Sequence, residues 1–125
     1  MKPSILLVNP AIYDFSAYDF WLKPLGLLKI GGMIKDCADI HFFDYMDRSG
    51  SRGTESDIYG RGTFTKTRVA KPGVLGDVPR HYHRFGRGRK EFVDYLSQIE
   101  RIDFAFVSTV MTYWYPGLFE TIEDL

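Results

Sequence analysis

A single cysteine, Cys37, stands among the 125 residues of this chain. One thiol excludes an internal disulfide and any cysteine-rich metal site, and a free thiol fits a reducing compartment. Long apolar runs are missing as well. The N-terminal run Ile5-Leu6-Leu7-Val8 is too short for a secretory signal, and no run approaches the roughly 18 or more apolar residues of a membrane span. A cytoplasmic protein with no membrane segment is expected. Net charge is absent too: Lys and Arg number 16, Asp and Glu 16, so bulk charge selects neither nucleic acid nor membrane. No Gly-x-Gly-x-x-Gly follows the first apolar run, and no Gly-x-x-x-x-Gly-Lys-Ser/Thr occurs anywhere, which removes the main support for dinucleotide or nucleoside triphosphate binding. A phosphoacceptor receiver domain would want acids at the tip of the first strand, where Asn9 stands.

What is present is the composition of one ordinary globular domain, 45% hydrophobic and 26% charged, with aromatics high at 16%. The even charge total conceals an asymmetry. Between Arg61 and Lys90 nine Lys or Arg face one acid, Asp77, whereas the other segments hold seven basic and fifteen acidic residues.

Ile5–Val8, apolar at every position and closed by Asn9-Pro10, reads as a central parallel strand buried on both faces. Ala11 to Lys23 follows as an aromatic-rich loop with Tyr13, Phe15, Tyr18, Phe20 and Trp21. Pro24 to Asp36 reads as a helix, Pro24 suiting its first turn and Leu27, Ile30 and Ile34 falling at helical spacing. Gly26, Gly31 and Gly32 inside it each cost about 1 kcal/mol against Ala, which close packing on a sheet or a ligand near Gly26 would explain. Ile40 to Tyr45 is a second strand. From about Arg48 to Arg89 no period emerges, so this stretch is either a functional insertion or a set of short elements. Glu91 to Arg101 returns to helical spacing through Phe92, Leu96 and Ile99. Phe104–Val107 is a third buried strand, and Pro116 opens a last helix to Leu125.

This alternation predicts an α/β fold, a Rossmann- or flavodoxin-like doubly wound parallel sheet with three strands and about three helices. A single domain spans 1–125, with a core of 1–47 and 90–125 and a basic insertion at 48–89. Three strands are few for an open sheet, and the last helix ends without a Gly or Asn cap, so the domain is expected to be truncated and to continue beyond Leu125. Its exposed third strand invites a homodimer.

Ligands of open parallel sheets bind beyond the carboxyl ends of the strands, where strand order reverses. With the order 2-1-3, the flanking tips are Asn9-Pro10 and Ser108-Thr109. Candidate cofactor-binding residues are therefore Asn9, Pro10, Gly26, Ser108, Thr109 and Thr112, although Asn9 and Ser108 equally suit the satisfaction of loop backbone groups. No catalytic residue is assigned. His81 and His83 alternate with Arg80, Tyr82 and Arg84, but two histidines without a third and fourth ligand make no metal site, and His41 reads as a surface or packed strand residue. Arg80, Arg84 and Arg87 are candidates for an anion or partner contact through bidentate geometry. The alternative is a non-enzymatic RNA- or protein-interaction module built on the basic segment 61–90, where interleaved Arg and aromatics would stack on bases. The acidity of the remainder argues against extended nucleic-acid contact.

Ile-Leu-Leu-Val-Asn-Pro at the start, Lys-Pro-Leu-Gly-Leu-Leu at the first helix and Phe-Val-Ser-Thr-Val-Met-Thr at the third strand together resemble the N-terminal cobalamin-binding domain of radical S-adenosylmethionine proteins. The match runs over about Ile5–Tyr45 and Glu91–Leu125. It implies a flavodoxin-like domain ahead of a catalytic radical barrel, which carries a Cys-x3-Cys-x2-Cys motif for a 4Fe-4S cluster that cleaves S-adenosylmethionine. With Cys37 alone, this chain cannot supply that cluster, so the cluster and S-adenosylmethionine belong to the parent enzyme, and the barrel is the expected partner. Cobalamin domains of the other type place Asp-x-His-x-x-Gly after the first strand, where the His ligates cobalt. Asn9 to Gly26 contain no histidine, so cobalamin would bind here without that lower ligand.

Overall fold

Apolar on both faces, Ser4–Asn9 forms strand β1 of the computed structural model, which describes residues 1–20, 23–49 and 56–125. In chain order there follow β2 (Ile12–Asp14), β3 (Tyr18–Asp19), helix α1 (Leu25–Ile34) and β4 (Asp39–Asp44). Next come β5 (Gly62–Thr63), β6 (Lys66–Val69), β7 (Tyr82–Phe85) and α2 (Arg89–Leu96). The described chain closes with β8 (Phe104–Val107) and α3 (Tyr115–Asp124). Trp21 of the aromatic loop and residues 50–55 of the basic insertion lie outside the described residues.

β1 runs parallel to β4 on one side and to β8 on the other, giving the order β4-β1-β8. The first and third apolar runs are thus neighbours, as the order 2-1-3 requires. Side chains of β1 alternate between two cores. Ile5 and Leu7 meet Leu27 of α1 and Ala38, with Ile34, Ile40 and Phe42 at the margin. Leu6 and Val8 meet Phe92 of α2, Phe43, Tyr45 and Phe85. Helices therefore cover both faces of the sheet. On the α2 side four rings, Phe43, Tyr45, Phe92 and Tyr95, lie with centroids 4.9 to 5.3 Å apart in tilted and edge-on pairs, the geometry that ring quadrupoles favour. The Phe42 N–H donates to the Tyr95 hydroxyl at 3.1 Å, locking α2 to β4.

The segment without sequence period is built from short strands. β7 pairs antiparallel with β2 on one side and with β6 on the other, forming a second sheet. β3 pairs antiparallel with β5. Because β2 and β3 come from the aromatic loop, that loop and the insertion complete each other, and Phe85 of β7 enters the main core. Such pairing is non-local, so no local period announces it. Among the described residues no helix is long and apolar enough to cross a membrane.

The glycines of α1 divide by environment. A Cβ on Gly31 would meet Leu7 Cδ1 at 2.9 Å, so Gly31 exists to let the helix sit on β1, whereas Gly26 and Gly32 face open space. Gly32→Ala is therefore expected to stabilise the fold by about 0.5–1 kcal/mol through helix propensity. Gly31→Ala, which pushes against the buried Leu7, loses that gain and falls below the parent. Urea unfolding of the two variants checks this; equal gains would mean that α1 does not rest on Leu7.

Candidate functional site

Three strand ends meet at the carboxyl edge of the parallel sheet and are tied together by hydrogen bonds. The Asn9 amide donates to Asp44 Oδ1 at 2.8 Å, and the Met46 N–H donates to the same oxygen at 2.9 Å. The Ser108 hydroxyl donates to Asn9 Oδ1 at 3.5 Å, while its N–H donates to the Val8 carbonyl at 3.1 Å. Asp44 is buried, so these donors replace the water its oxygens have lost. The result is one fixed edge made from the tips of β4, β1 and β8.

Two segments leave this edge and are joined to each other. Pro10 and Ala11 lead from β1 into β2, and residues 108–114 lead from β8 into α3. The Trp114 indole N–H donates to Asp14 Oδ2 at 2.8 Å. Gly117 lies so close to the Ala11 backbone that a Cβ there would overlap the Ala11 carbonyl oxygen. Further along α3, the buried Glu120 accepts two bonds from the Arg84 guanidinium, at 2.7 and 2.8 Å, and a third from the Tyr13 hydroxyl at 2.7 Å. Removing one partner of such a buried pair strands the other charge at a cost of about 3–5 kcal/mol. Burial first, and then the hydrogen bond to the Glu120 carboxylate and its negative charge, push the Tyr13 phenol up to about 12. Burial likewise raises Tyr45.

Both segments line a cavity of about 220 Å³. The strand tips contribute Asn9, Pro10, Ser108 and Thr109, and apolar wall comes from Met46, Phe64, Met111 and Trp114. Tyr18, Asp19 and Lys23 add polar groups. Asp19 is itself buried and ion-paired to Arg48 Nε at 2.9 Å. An apolar, aromatic lining with few polar groups at fixed places suits a ring-bearing ligand with a polar edge. No protein-family model, curated protein or solved structure matches this chain.

Four of the six residues expected at the cofactor surface, Asn9, Pro10, Ser108 and Thr109, line the cavity. Gly26 and Thr112 are not among its lining residues. Gly26 is exposed in the first turn of α1, whose approach to the cavity is made by Lys23 and Pro24 instead. Thr112 is exposed and opens a short 3-10 turn that delivers Trp114. The functions of Trp114, Met111, Phe64 and Asp19 as lining went unread in the sequence; the Met-Thr-Tyr-Trp run after the third strand was the available signal for the first two.

Arg80, Arg84 and Arg87 do not gather. Arg80 donates to the Ser16 hydroxyl at 2.6 Å and lies over the Phe15 ring. Arg84 is matched by Glu120, and Arg87 by Glu91 at 2.8 Å, with its guanidinium 4.2 Å from the centre of the Phe43 ring. His41 is half-buried in β4, and burial lowers His83, assisted by the charges of Lys66 and Arg68 nearby.

The raised Tyr13 sets a pH dependence. At pH below 10 the phenol is protonated in both states, and its contribution is complete. Between pH 10 and about 12 the unfolded chain releases this proton while the folded chain holds it, so stability falls as pH rises. Tyr13→Phe is expected to make that alkaline loss shallower in urea unfolding measured across this range. Identical slopes for parent and variant would mean that Tyr13 does not keep its proton.

Proposed function

We propose that this chain is the N-terminal cobalamin-binding-like domain of a radical S-adenosylmethionine enzyme, a flavodoxin-like doubly wound domain that supports cofactor or substrate binding beside a catalytic barrel. One observation carries the reading: a cavity of about 220 Å³ opens at the carboxyl tips of β1 and β8, the two strands flanking the reversal of order in a parallel sheet. That is where such sheets take their ligands, and it coincides with the Asn-Pro and Ser-Thr motifs on which the resemblance rests.

The lining supports a limited role in holding cobalamin. A cavity of about 220 Å³ would take only part of so large a cofactor, which would be held by the apolar Trp114 and Phe64 and the hydroxyls of Ser108 and Thr109. No histidine lines the cavity, so the reading requires a cobalt without a ligand from it. Bound cobalamin would supply group-transfer or radical chemistry to the neighbouring barrel; this chain's residues bind and orient it.

The barrel is the partner proposed for the β8 side. β8 is the outermost strand of the parallel sheet, and Phe104 and Phe106 are 56% and 37% exposed on the face that carries α1. With no barrel over it, the same edge is expected to pair with a second copy of the chain.

Hydroxocobalamin titrated into the protein is expected to give a saturable change in its visible spectrum together with quenching of tryptophan fluorescence. Ser108→Trp, which fills the cavity mouth, should weaken binding by about tenfold or more, equivalent to about 1.4 kcal/mol. No spectral change at high micromolar cofactor, with the protein folded, removes the cofactor reading. Sedimentation velocity tests the edge separately: a monomer–dimer equilibrium is expected, shifted to monomer by Ala105→Pro, and monomer alone at high concentration rules out pairing through β8.

A further inference from the structure

The positive charge concentrated between Arg61 and Lys90 is mostly spent inside the chain. Arg61, Arg84, Arg87, Arg89 and Lys90 each hold an acidic partner, namely Asp57, Glu120, Glu91, Asp124 and Asp94. Lys66, Arg68, Lys71 and Arg80 form no ion pair among the described residues. The first two are exposed on β6 and Lys71 follows two residues after it, its ammonium donating to the Val78 carbonyl at 2.6 Å.

β6 is also the outer strand of the order β2-β7-β6, so its far edge has no ladder partner among the described residues. Two grooves, of about 510 and 410 Å³, meet beside its end, sharing Val69, Ala70, Lys71 and Tyr82. An edge of unpaired backbone groups is a template for another strand, and Lys or Arg on it decides which strand is admitted. A second copy of β6 would set like charges opposite one another, which is destabilising. Single-stranded RNA needs exposed rings to stack on, yet β6 carries none and Tyr82, the ring shared by both grooves, is 3% exposed. The exposed Tyr115 and Phe119 lie on α3, in one groove only and beside Glu120 and Glu123. What complements both the backbone edge and the unmatched cations is an extended chain bearing carboxylates.

We propose that the β6 edge binds an extended acidic segment of a partner protein, which pairs with Lys66–Val69 as a further strand and sets its carboxylates against Lys66, Arg68 and Lys71. Strand pairing supplies the affinity, and the cations supply the selection. This site is separate from the cavity at the tips of β1 and β8, and neither reading depends on the other.

The probe is a fluorescein-labelled peptide of alternating glutamate and valine, about six residues long, the usual strand length. Fluorescence anisotropy should show saturable binding that weakens with added salt. Lys66→Glu combined with Arg68→Glu should reduce affinity by about tenfold or more, and the milder Lys66→Gln with Arg68→Gln by less, with circular dichroism unchanged in both. A peptide N-methylated at alternate residues, which keeps the charge but cannot pair, should not bind. Three results overturn the proposal: no saturable binding of the acidic peptide, equal binding of its N-methylated form, or tighter binding of oligouridine RNA than of the peptide.

Discussion

The Arg84–Glu120 pair is the interaction on which the arrangement turns. Arg84 belongs to the middle strand of the second sheet and Glu120 to the last helix, and Tyr13, which completes the cluster, lies on the strand that continues from β1. Three stretches far apart in the chain are thereby fixed to one another through a buried carboxylate and its partly buried partners. A charge pair of this kind is costly to desolvate, and it contributes specificity of arrangement more than net stability. Here the arrangement it specifies is the placement of α3 and the Trp114 turn against β2, which together enclose the cavity. Were the pair absent, the parallel sheet would still have its two apolar faces, but the segment after β8 would be held over the strand tips only by the Trp114–Asp14 bond, the Ser108 bonds and the Gly117 crossing.

The elements of the parallel sheet were legible because their signals are local. Ile5–Val8 and Phe104–Val107 are continuous apolar runs, and both are strands. The first is buried on both faces, as such a run implies. The expected burial of the third is corrected, since β8 is an edge strand with Phe104, Ala105 and Phe106 exposed. α1 and α2 carry a helical stripe, and the rule that ligands gather at reversed strand order pointed to Asn9, Pro10, Ser108 and Thr109, all of which line the cavity. What the sequence withheld is of a different kind. β2, β6 and β7 are three or four residues each and acquire their structure from partners across the chain. The bond from Trp114 to Asp14 spans 100 positions. The order of strands and helices places Gly26 and Thr112 near the right edge without saying which side chain of a turn reaches the opening, and in the structure Lys23, Pro24 and Trp114 do so instead.

Charge tells a similar story. Counted along the chain, the segment 61–90 is a strongly positive island, which invites the picture of a clamp for anions. In three dimensions most of its guanidinium groups face carboxylates drawn from the acidic remainder, so the two imbalances of the sequence largely neutralise each other across the folded surface. Counting charge locates a surplus; only pairing shows how much of it is left to act outward. The remainder here is confined to one strand edge and its neighbourhood.

Gly117 meeting the Ala11 backbone has a consequence for how this protein can vary over evolutionary time. Main chain rests on main chain at that crossing, so the height of α3 over Ala11 is set there by backbone and not by the side chains that line the cavity. Residues such as Met111, Phe64 and Val110 can be exchanged, reshaping the chamber they surround, while the frame around it keeps its dimensions. The scaffold thus separates what must stay constant, a frame set by backbone contact, from what is free to diversify, the side chains that shape the chamber.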